Sequence, residues 1–348
     1  MDVLLNVKYR NVDQQGRPQG FLASKATLSD LGFESKLGKI ECSRFVRAEV
    51  RANRVILLVK NDAGVIEPKV IEVYKPKPAA FARAFNRIAS DTRTLAHQAE
   101  LEAQGRGSEL RVRRCAACDG MVDLTDFPES HEMYCPFCDT VSNAAVPSKE
   151  QEKIRVCDRC GFFSMPRTIT CFYFYFLLVV YGFSYQRKHM CSPCMRSEAW
   201  KMLAGNFLFL LGVPVALTQL GRAYFGGTAL SGAYQGLEGA NVVARKLQPE
   251  NAAAKYAEIA TRLGGSAIAS FNAGVAFASA KKMAEAQRAF ETSLRVCSNF
   301  EPGGNGLIAV MTEQKLDPRT SPLLAVFFKQ VDAQQLPDSS EPIKLSNI

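Results

Sequence analysis

Cys115-Ala-Ala-Cys118 and Tyr134-Cys135-Pro-Phe-Cys138 begin a series of four Cys-x-x-Cys pairs in the middle of this 348-residue chain. Each pair places two thiolates on one tight turn, and two such turns form the tetrahedral sulfur cage that Zn²⁺ prefers. Eight of the eleven cysteines occur in these pairs. The pattern predicts two bound zinc ions, and the ligands are Cys115, Cys118, Cys135, Cys138, Cys157, Cys160, Cys191 and Cys194.

The first two pairs are separated by sixteen residues, which is room for a short hairpin that returns the second turn to the first. The sequence Tyr134-Cys-Pro-Phe-Cys138 is typical of such a return. Residues 110–145 resemble a zinc ribbon, and this resemblance implies a closed, structural site without an open coordination position. Which pairs share an ion stays open, because Cys135/Cys138 could instead join Cys157/Cys160.

An apolar run separates the last two pairs. Nineteen uncharged residues, 168–186, lie within the thirty residues between Cys160 and Cys191. A membrane-spanning helix would hold the two pairs about 30 Å apart, whereas a shared ion needs all four sulfurs at about 2.3 Å. The run is aromatic and β-branched, which favours a β-hairpin. We therefore predict a second zinc module over 154–200, whose hairpin packs on protein or lies at a bilayer surface.

A second apolar segment follows at 202–221, where twenty residues carry no charge. As one helix it would be about 30 Å long, so it would either span a bilayer or be buried in the protein. Lys and Arg are denser before it than after it, which would place the zinc modules in the cytoplasm. The stretch from Cys157 to Gln219 resembles that of uncharacterised bacterial membrane-associated proteins, and this implies contact with a membrane.

The N-terminal residues 1–104 predict an antiparallel sheet followed by one amphipathic helix. Apolar side chains alternate from Val3 to Tyr9, and further strands are expected at 21–28, 44–50, 55–60 and 65–74. After Pro78, apolar residues recur at helical spacing from Phe81 to Leu95. This order resembles the pleckstrin-homology-like (PH-like) architecture, which implies binding of phosphoinositides, peptides or proteins. The candidate lipid-binding residues are Arg44, Arg47, Arg51 and Arg54, with a solvated face as the alternative.

The C-terminal residues 228–335 carry a repeat with a period of 34. Leu237 and Tyr256 align with Phe271 and Phe290, and Gly274 lies where two helices must approach closely. The pattern resembles tetratricopeptide repeats (TPR), which implies a helical surface for a protein partner. A closing helix is expected over 322–333, and the tail 337–348 is expected to be disordered.

The composition, 47% apolar and 22% charged, is that of a folded protein, and the start of the chain shows no signal-peptide pattern. Phosphate-binding, nucleophile-elbow and zinc-protease motifs are absent from the sequence. The predicted fold class is therefore multi-domain α+β, and the predicted function is a non-enzymatic, membrane-associated zinc adaptor on the cytoplasmic side, or otherwise in the cytoplasm.

Two alternatives remain. The net charge of +9 suits a nucleic-acid-binding zinc ribbon, although the aromatic run lacks interleaved Lys or Arg and so argues against a nucleic-acid partner. The Cys-x-x-Cys pairs also suit a zinc-dependent chaperone or thiol oxidoreductase. The sequence predicts no oligomeric state.

Overall fold

The computed structural model describes residues 3–13, 19–20, 22–36, 38–51, 54–177, 180–206, 212–225 and 232–334. Within this part the chain divides into two units. The first comprises Met1–Thr125 and Tyr134–Glu238, and the second comprises Asp126–Met133 and Gly239–Ile348. The predicted disordered tail, 337–348, lies outside the described residues.

The first unit begins with a curled, seven-stranded antiparallel sheet in the order β4-β3-β2-β1-β7-β6-β5. Two meanders, β1 to β4 and β5 to β7, are joined where β1 pairs with β7. The strands are β1 (Val3–Asn11), β2 (Ser24–Ser29), β3 (Gly32–Ser35), β4 (Gly38–Glu41), β5 (Phe45–Arg51), β6 (Arg54–Lys60) and β7 (Ile66–Lys75).

Alternating burial explains why these segments form strands. In β6 the side chains of Val55, Leu57 and Val59 are buried while their neighbours are half-buried or exposed. This is the period of two that the sequence predicts. The five predicted strands overlap with β1, β2, β5, β6 and β7, and the sequence Leu28-Ser-Asp-Leu-Gly-Phe33 also predicts the hairpin between β2 and β3. Strand β4 has no periodic signal in the sequence, because four residues are too few for one.

Helix α1 (Pro78–Ala103) packs on this sheet and begins with a proline in its first turn. Phe85 stacks on Phe45 with ring centroids 4.0 Å apart, and Phe81 meets Phe33 edge to face at 5.8 Å. The sequence predicts an apolar face that extends to Leu95, but Leu95 is 60% exposed and does not belong to the core. The sheet and the first half of α1 therefore share one core.

The rest of the first unit consists of short hairpins and three helices. The hairpins are β8 (Val112–Arg114) with β9 (Met121–Asp123), β10 (Met133–Cys135) with β11 (Thr140–Ser142), β12 (Arg155–Val156) with β13 (Phe163–Ser164), and β14 (Arg167–Leu177) with β15 (Val180–Met190). The helices are α2 (Ser148–Gln151), α3 (Ser192–Asn206) and α4 (Val213–Phe225).

The two apolar runs have different outcomes. Over 168–186 the backbone forms the predicted antiparallel hairpin, with Arg167 opposite Met190 and Leu177 opposite Val180, and not a helix. Over 202–221 the described residues belong to two helices, α3 and α4, which share an apolar cluster that includes Met202 and Ala216. Across the described residues, every helix is too short or too polar to cross a bilayer.

The second unit contains α5 (Leu237–Arg245), α6 (Pro249–Arg262), α7 (Ala267–Ser279), α8 (Met283–Val296), α9 (Glu301–Glu313) and α10 (Ala325–Gln334). Helix α8 starts and ends 34 residues after α6, and α9 starts and ends 34 residues after α7. Leu247, Lys281 and Lys315 follow the same spacing, with φ of 56°, 61° and 60°. The predicted period is thus present in the backbone and continues into a third copy.

The segment Asp126–Met133 also belongs to this second unit. The carboxylate of the buried Glu132 accepts a hydrogen bond from the backbone N–H of Ala267, at the start of α7, over 2.7 Å. Ser298 donates to the carbonyl of Pro128 over 2.7 Å. Residues 126–133, which lie between the second and third predicted ligands, are therefore held by hydrogen bonds within the second unit.

Candidate metal centres

The first group of cysteines lies on two nearly identical turns. In each turn the residue after the second cysteine donates its N–H to the carbonyl of the first, Asp119 to Cys115 over 2.8 Å and Asp139 to Cys135 over 2.9 Å. Both aspartates adopt the left-handed conformation, with φ of 62° and 58°. Because that conformation reverses the chain within four residues, both sulfurs of each pair point to the same side.

The turns bring all four sulfurs of this first centre together. The Sγ atoms of Cys115 and Cys138 are 3.6 Å apart, and so are those of Cys118 and Cys135. A tetrahedral ion with metal–sulfur bonds of 2.3 Å separates its ligands by about 3.8 Å, whereas a disulfide needs about 2.05 Å. The group can therefore hold one metal ion, and its cysteines are free thiols.

Burial and mutual hydrogen bonding set the electrostatics of the first centre. Cys115, Cys118 and Cys135 are buried, and Cys138 is half-buried. Hydrogen bonds from Cys118, and then from Cys135 and Cys138, hold the pKa of Cys115 far below that of an ordinary thiol. The same contacts raise the pKa of Cys118 and Cys135, so one sulfur of the group takes the negative charge and its neighbours donate to it.

Helix α1 supports the first centre through buried polar side chains. Asn86, only 4% exposed, accepts from the N–H of Ala48 over 2.6 Å and donates to the carbonyls of Ala48 and Phe137 over 3.0 and 3.2 Å. One turn later, the hydroxyl of Ser90 accepts from the N–H of Met121 over 3.0 Å. These bonds join the sheet, the helix and both turns of the centre.

Two charged contacts extend this support. The guanidinium of Arg47 donates to the carboxylate of Asp139 over 3.1 Å, and Tyr134 donates to the same carboxylate over 2.7 Å. Nδ1 of His97 lies 2.5 Å from Oδ2 of Asp123. A position on the long helix predicts a solvent-facing side chain for His97, whereas the structure places it half-buried against Asp123 of β9.

The second centre has a different construction. Cys157 and Cys160 lie on a turn like those of the first, in which Gly161 has φ of 72° and donates to the carbonyl of Cys157 over 3.0 Å. Cys191 and Cys194 lie instead at the start of α3, where the N–H groups of the first turn stabilise negative charge. The N–H of Cys191 itself donates to the sulfur of Cys157 over 3.3 Å.

The β14–β15 hairpin returns the chain between these two pairs. Asp158 donates its N–H to the carbonyl of His189 over 2.9 Å and accepts from the N–H of His189 over 2.7 Å. The Sγ atoms of Cys160 and Cys191 are 3.8 Å apart, and all four sulfurs lie within 4.8 Å of one another. The second group can therefore hold one metal ion too, with the predicted pairing of Cys157/Cys160 and Cys191/Cys194.

An apolar cluster surrounds the second centre, whereas polar contacts surround the first. Besides its cysteines the cluster contains Ile169, Cys171, Met190, Met195, Ala199, Met202, Ala216 and Ala223. Hydrogen bonds from Cys160, and then from Cys191 and Cys194, hold the pKa of Cys157 far below the ordinary value. The turn, the hairpin and α3 are therefore joined by this apolar cluster, by the hydrogen bonds between Asp158 and His189, and by a hydrogen bond from Arg159 to the carbonyl of Cys194 over 3.1 Å.

Of the four predicted lipid-binding arginines, Arg44 and Arg47 make separate contacts. Arg44 donates to the carboxylate of Asp62 over 2.9 Å, while Arg47 faces Asp139. Arg54 lies opposite Arg51 in the β5–β6 pair, and the side chain of Arg51 lies outside the described part. The described arginines of this set therefore make separate contacts.

Asn86 and Ser90 support the first centre, but no motif in the sequence predicts this role. A buried amide inside an otherwise amphipathic helix is the signal that points to them, because a polar group inside a core needs partners. No protein-family model, no curated protein and no solved structure matches the chain.

Proposed function

We propose that this protein is a non-enzymatic, zinc-stabilised adaptor, held at the cytoplasmic face of a membrane, that binds a protein partner through its helical repeats. The observation that carries this proposal is the 34-residue spacing of α6 to α8 and of α7 to α9. Stacked helix pairs of this length present an extended surface to peptides and have no need of a catalytic site.

The packing inside the repeat supports the resemblance to tetratricopeptide repeats. A Cβ atom on Gly274 would lie 2.7 Å from the ring of Phe290, and a Cβ atom on Gly306 would lie equally close to it. The ring is thus held between two glycines, one on α7 and one on α9. Close approach of helices around an aromatic ring is the feature that the sequence pattern predicts.

Zinc is the metal that the two centres favour. Four cysteine thiolates in a tetrahedral arrangement select Zn²⁺ or iron–sulfur clusters, and Zn²⁺ prefers closed Cys₄ sets on paired turns. Neither centre offers an open coordination position, so each ion would have a structural role. A cytoplasmic location agrees with the free state of all eleven cysteines.

The N-terminal sheet supports the pleckstrin-like interpretation. Two antiparallel meanders joined through β1 and β7, followed by one amphipathic helix, agree with the resemblance. Since Arg44 and Arg47 pair with carboxylates, the proposal places no lipid site on the β5–β6 hairpin. It assigns the sheet domain to scaffolding of the first zinc centre, through Asn86 and Ser90.

The experiment combines metal content, membrane association and partner dependence on the full chain. We expect about two zinc atoms per chain by elemental analysis, a membrane fraction that carbonate releases, and protein crosslinks made from the helical unit. Gly274→Ala should lose those crosslinks, because overpacking against Phe290 costs about 1–3 kcal/mol. The matched control is Gly239→Ala, since a Cβ atom there meets no neighbour.

Other outcomes would contradict the proposal. Nucleic-acid binding that falls steeply with added salt would favour a zinc-ribbon nucleic-acid-binding protein. Reduction of insulin by the zinc-loaded chain would favour a thiol oxidoreductase, and refolding of a denatured client would favour a chaperone. If Gly274→Ala and Gly239→Ala gave identical crosslinks, the helical unit would not be the part of the protein that binds the partner.

A further inference from the structure

Residues 154–225, which comprise the second cysteine module and α4, carry most of the net positive charge of the protein. Residues 154–225 hold eight Lys and Arg side chains and two carboxylates, a net charge of +6 out of +9 for the whole chain. A zinc ion with four thiolates has a charge of −2, which still leaves +4. The basic residues are Arg155, Arg159, Arg167, Arg187, Lys188, Arg196, Lys201 and Arg222.

Both carboxylates of the module are directed at partners inside it. Asp158 accepts the hydrogen bond from His189, and Glu198 lies 3.5 Å from Arg159. At the other end of the module, Arg167, Arg196 and Arg222 lie around the last turn of α4.

Three arginines converge on that last turn. Arg167 donates to the carbonyl of Arg222 over 2.8 Å, and Arg196 donates to the carbonyl of Ala223 over 3.3 Å. Burial, and then the positive charges of Arg222 and Arg196, lower the pKa of Arg167 below the ordinary value. A cluster of like charges of this kind is stabilised when an anion approaches it.

Large apolar side chains are exposed beside the arginines. Phe225 is 92% exposed, Leu217 52%, Trp200 51% and Tyr224 48%. Trp200 donates to the hydroxyl of Tyr224 over 3.3 Å, and the guanidinium of Arg196 lies 4.7 Å from the centre of the Tyr224 ring. Residues seven apart, such as Leu217 and Tyr224, share one side of a helix. The arginines and the apolar groups thus form one continuous surface.

We infer that this surface, the α3–α4 face of Arg167, Arg196, Trp200, Leu217, Arg222, Tyr224 and Phe225, binds a bilayer that contains anionic phospholipid. The inference deepens the proposed membrane association, on which it rests, by assigning the residues that make the contact. The arginines bind lipid phosphates, and the tryptophan, leucine and phenylalanine enter the boundary between headgroups and acyl chains.

The composition of the face favours a bilayer over nucleic acid. An exposed leucine and a phenylalanine that is almost fully exposed gain free energy by leaving water for lipid. Nucleic acid would use the aromatic rings for stacking but offers no apolar volume for Leu217. A solvated basic face would not need these apolar side chains.

The test measures flotation of the zinc-loaded full chain with vesicles. One set is pure phosphatidylcholine, and the other contains about 30 mol % phosphatidylglycerol, so that the surface is negative. We expect binding to the anionic vesicles only. Arg222→Gln should lower the partition coefficient about fivefold, because one cation near a charged surface contributes about that factor. Trp200→Ser with Phe225→Ser should lower it at least about tenfold.

Matched variants separate this face from the rest of the surface. Leu217→Ser should weaken vesicle binding, whereas Leu95→Ser, an equally exposed leucine on α1, should leave it unchanged. Arg295→Gln, whose side chain is 62% exposed on α8, is the control for Arg222→Gln. Zinc content and circular dichroism of each variant exclude loss of folding as the cause of weaker binding.

The outcomes distinguish the face from the wider proposal. If the native chain floats with anionic vesicles but these variants behave like their controls, the α3–α4 face is wrong and membrane association stands. If the native chain binds neither kind of vesicle, both the α3–α4 face and the proposed membrane association are overturned. Loss of single-stranded DNA binding in Arg222→Gln, without vesicle binding by the native chain, would assign the face to nucleic acid instead.

Discussion

Each of the two candidate metal centres has four cysteine ligands, but the surrounding structure depends on those ligands to a different degree in each centre. In the first, Asn86, Ser90 and Arg47 make hydrogen bonds from the sheet domain to the cysteine turns or the residues next to them. In the second, the neighbours of the sulfurs are mainly apolar, and one of the two cysteine pairs lies at the start of α3. The first centre is bonded to a domain that has its own hydrophobic core, whereas the core around the second centre includes the cysteine ligands themselves.

This difference separates two roles of a structural metal. Where a scaffold with its own core already fixes the turns, the ion adds stability to a geometry that other bonds also hold. Where the turn, the hairpin and the helix meet at the sulfurs, at a small apolar cluster and through a few hydrogen bonds, the ion supplies a larger share of the folding free energy. The second centre should therefore be the more sensitive of the two.

The largest expected effect follows from removing one ligand of each centre. Cys191→Ser and Cys135→Ser should each lose one metal ion, at a cost of about 5 kcal/mol or more. In Cys191→Ser we expect amide hydrogen exchange to become fast throughout β12 to β15 and α3. In Cys135→Ser we expect it to become fast in β8 to β11, while α1 stays protected by its contacts with the sheet.

The control for both is Cys297→Ser, a buried cysteine that belongs to neither centre. It should keep both metal ions and change exchange only near the end of α8. Equal loss of protection in the two ligand variants, or loss of protection in α1 on Cys135→Ser, would remove the distinction between the centres.

A smaller effect tests the scaffold contact of the first centre directly. Asn86→Ala leaves the N–H of Ala48 and two carbonyls without their buried partner, so we expect the free energy of unfolding to fall by about 2–3 kcal/mol. Gln98→Ala on the same helix removes an exposed amide and should change it by about 0.5 kcal/mol or less. Urea denaturation with zinc present measures both.

If Asn86→Ala equals its control, the contacts of Asn86 do not stabilise the first centre and the contrast with the second centre is wrong. If it weakens zinc binding at the second centre, the two are coupled. The expected result is a lower zinc affinity at the first centre only, measured by competition with a chelator.

Part of this architecture follows from local sequence signals. The four ligand pairs are visible because each needs only two cysteines three residues apart, and the hairpin at 168–186 because its residues are aromatic and β-branched. The period of 34 in the helical unit is visible because Gly274 and Phe290 follow a small residue, Ala240, and an aromatic residue, Tyr256, at that spacing. These signals act within one turn, one strand or one repeat.

The remaining features depend on tertiary neighbours. Nothing near Asn86 in the sequence indicates that its amide meets Phe137, which is 51 residues away. The third repeat was not predicted because Ile308 replaces the glycine that Gly274 provides, although the backbone turn at Lys315 keeps the period. The uncharged run 202–221 predicts a single helix, whereas its described residues belong to α3 and α4, because an uncharged run carries no signal for where one helix ends and the next begins.

The smallest expected effect compares the residue that follows each cysteine turn. This residue is left-handed in both centres, but it is Asp119 in the first and Gly161 in the second, with φ of 62° and 72°. Because a Cβ atom costs about 1 kcal/mol in that conformation, Asp119→Gly should stabilise the first centre by up to about that amount. Gly161→Ala should destabilise the second by a similar amount, since its Cβ atom meets no neighbour and only the backbone preference changes.

Asp139→Gly provides the contrast, because its carboxylate binds Arg47 and Tyr134 and its loss should outweigh the relief of the backbone. Thermal unfolding of the three zinc-loaded variants should therefore rank Asp119→Gly highest and Asp139→Gly below the native chain, and the reverse order would mean that backbone conformation does not limit the stability of these turns.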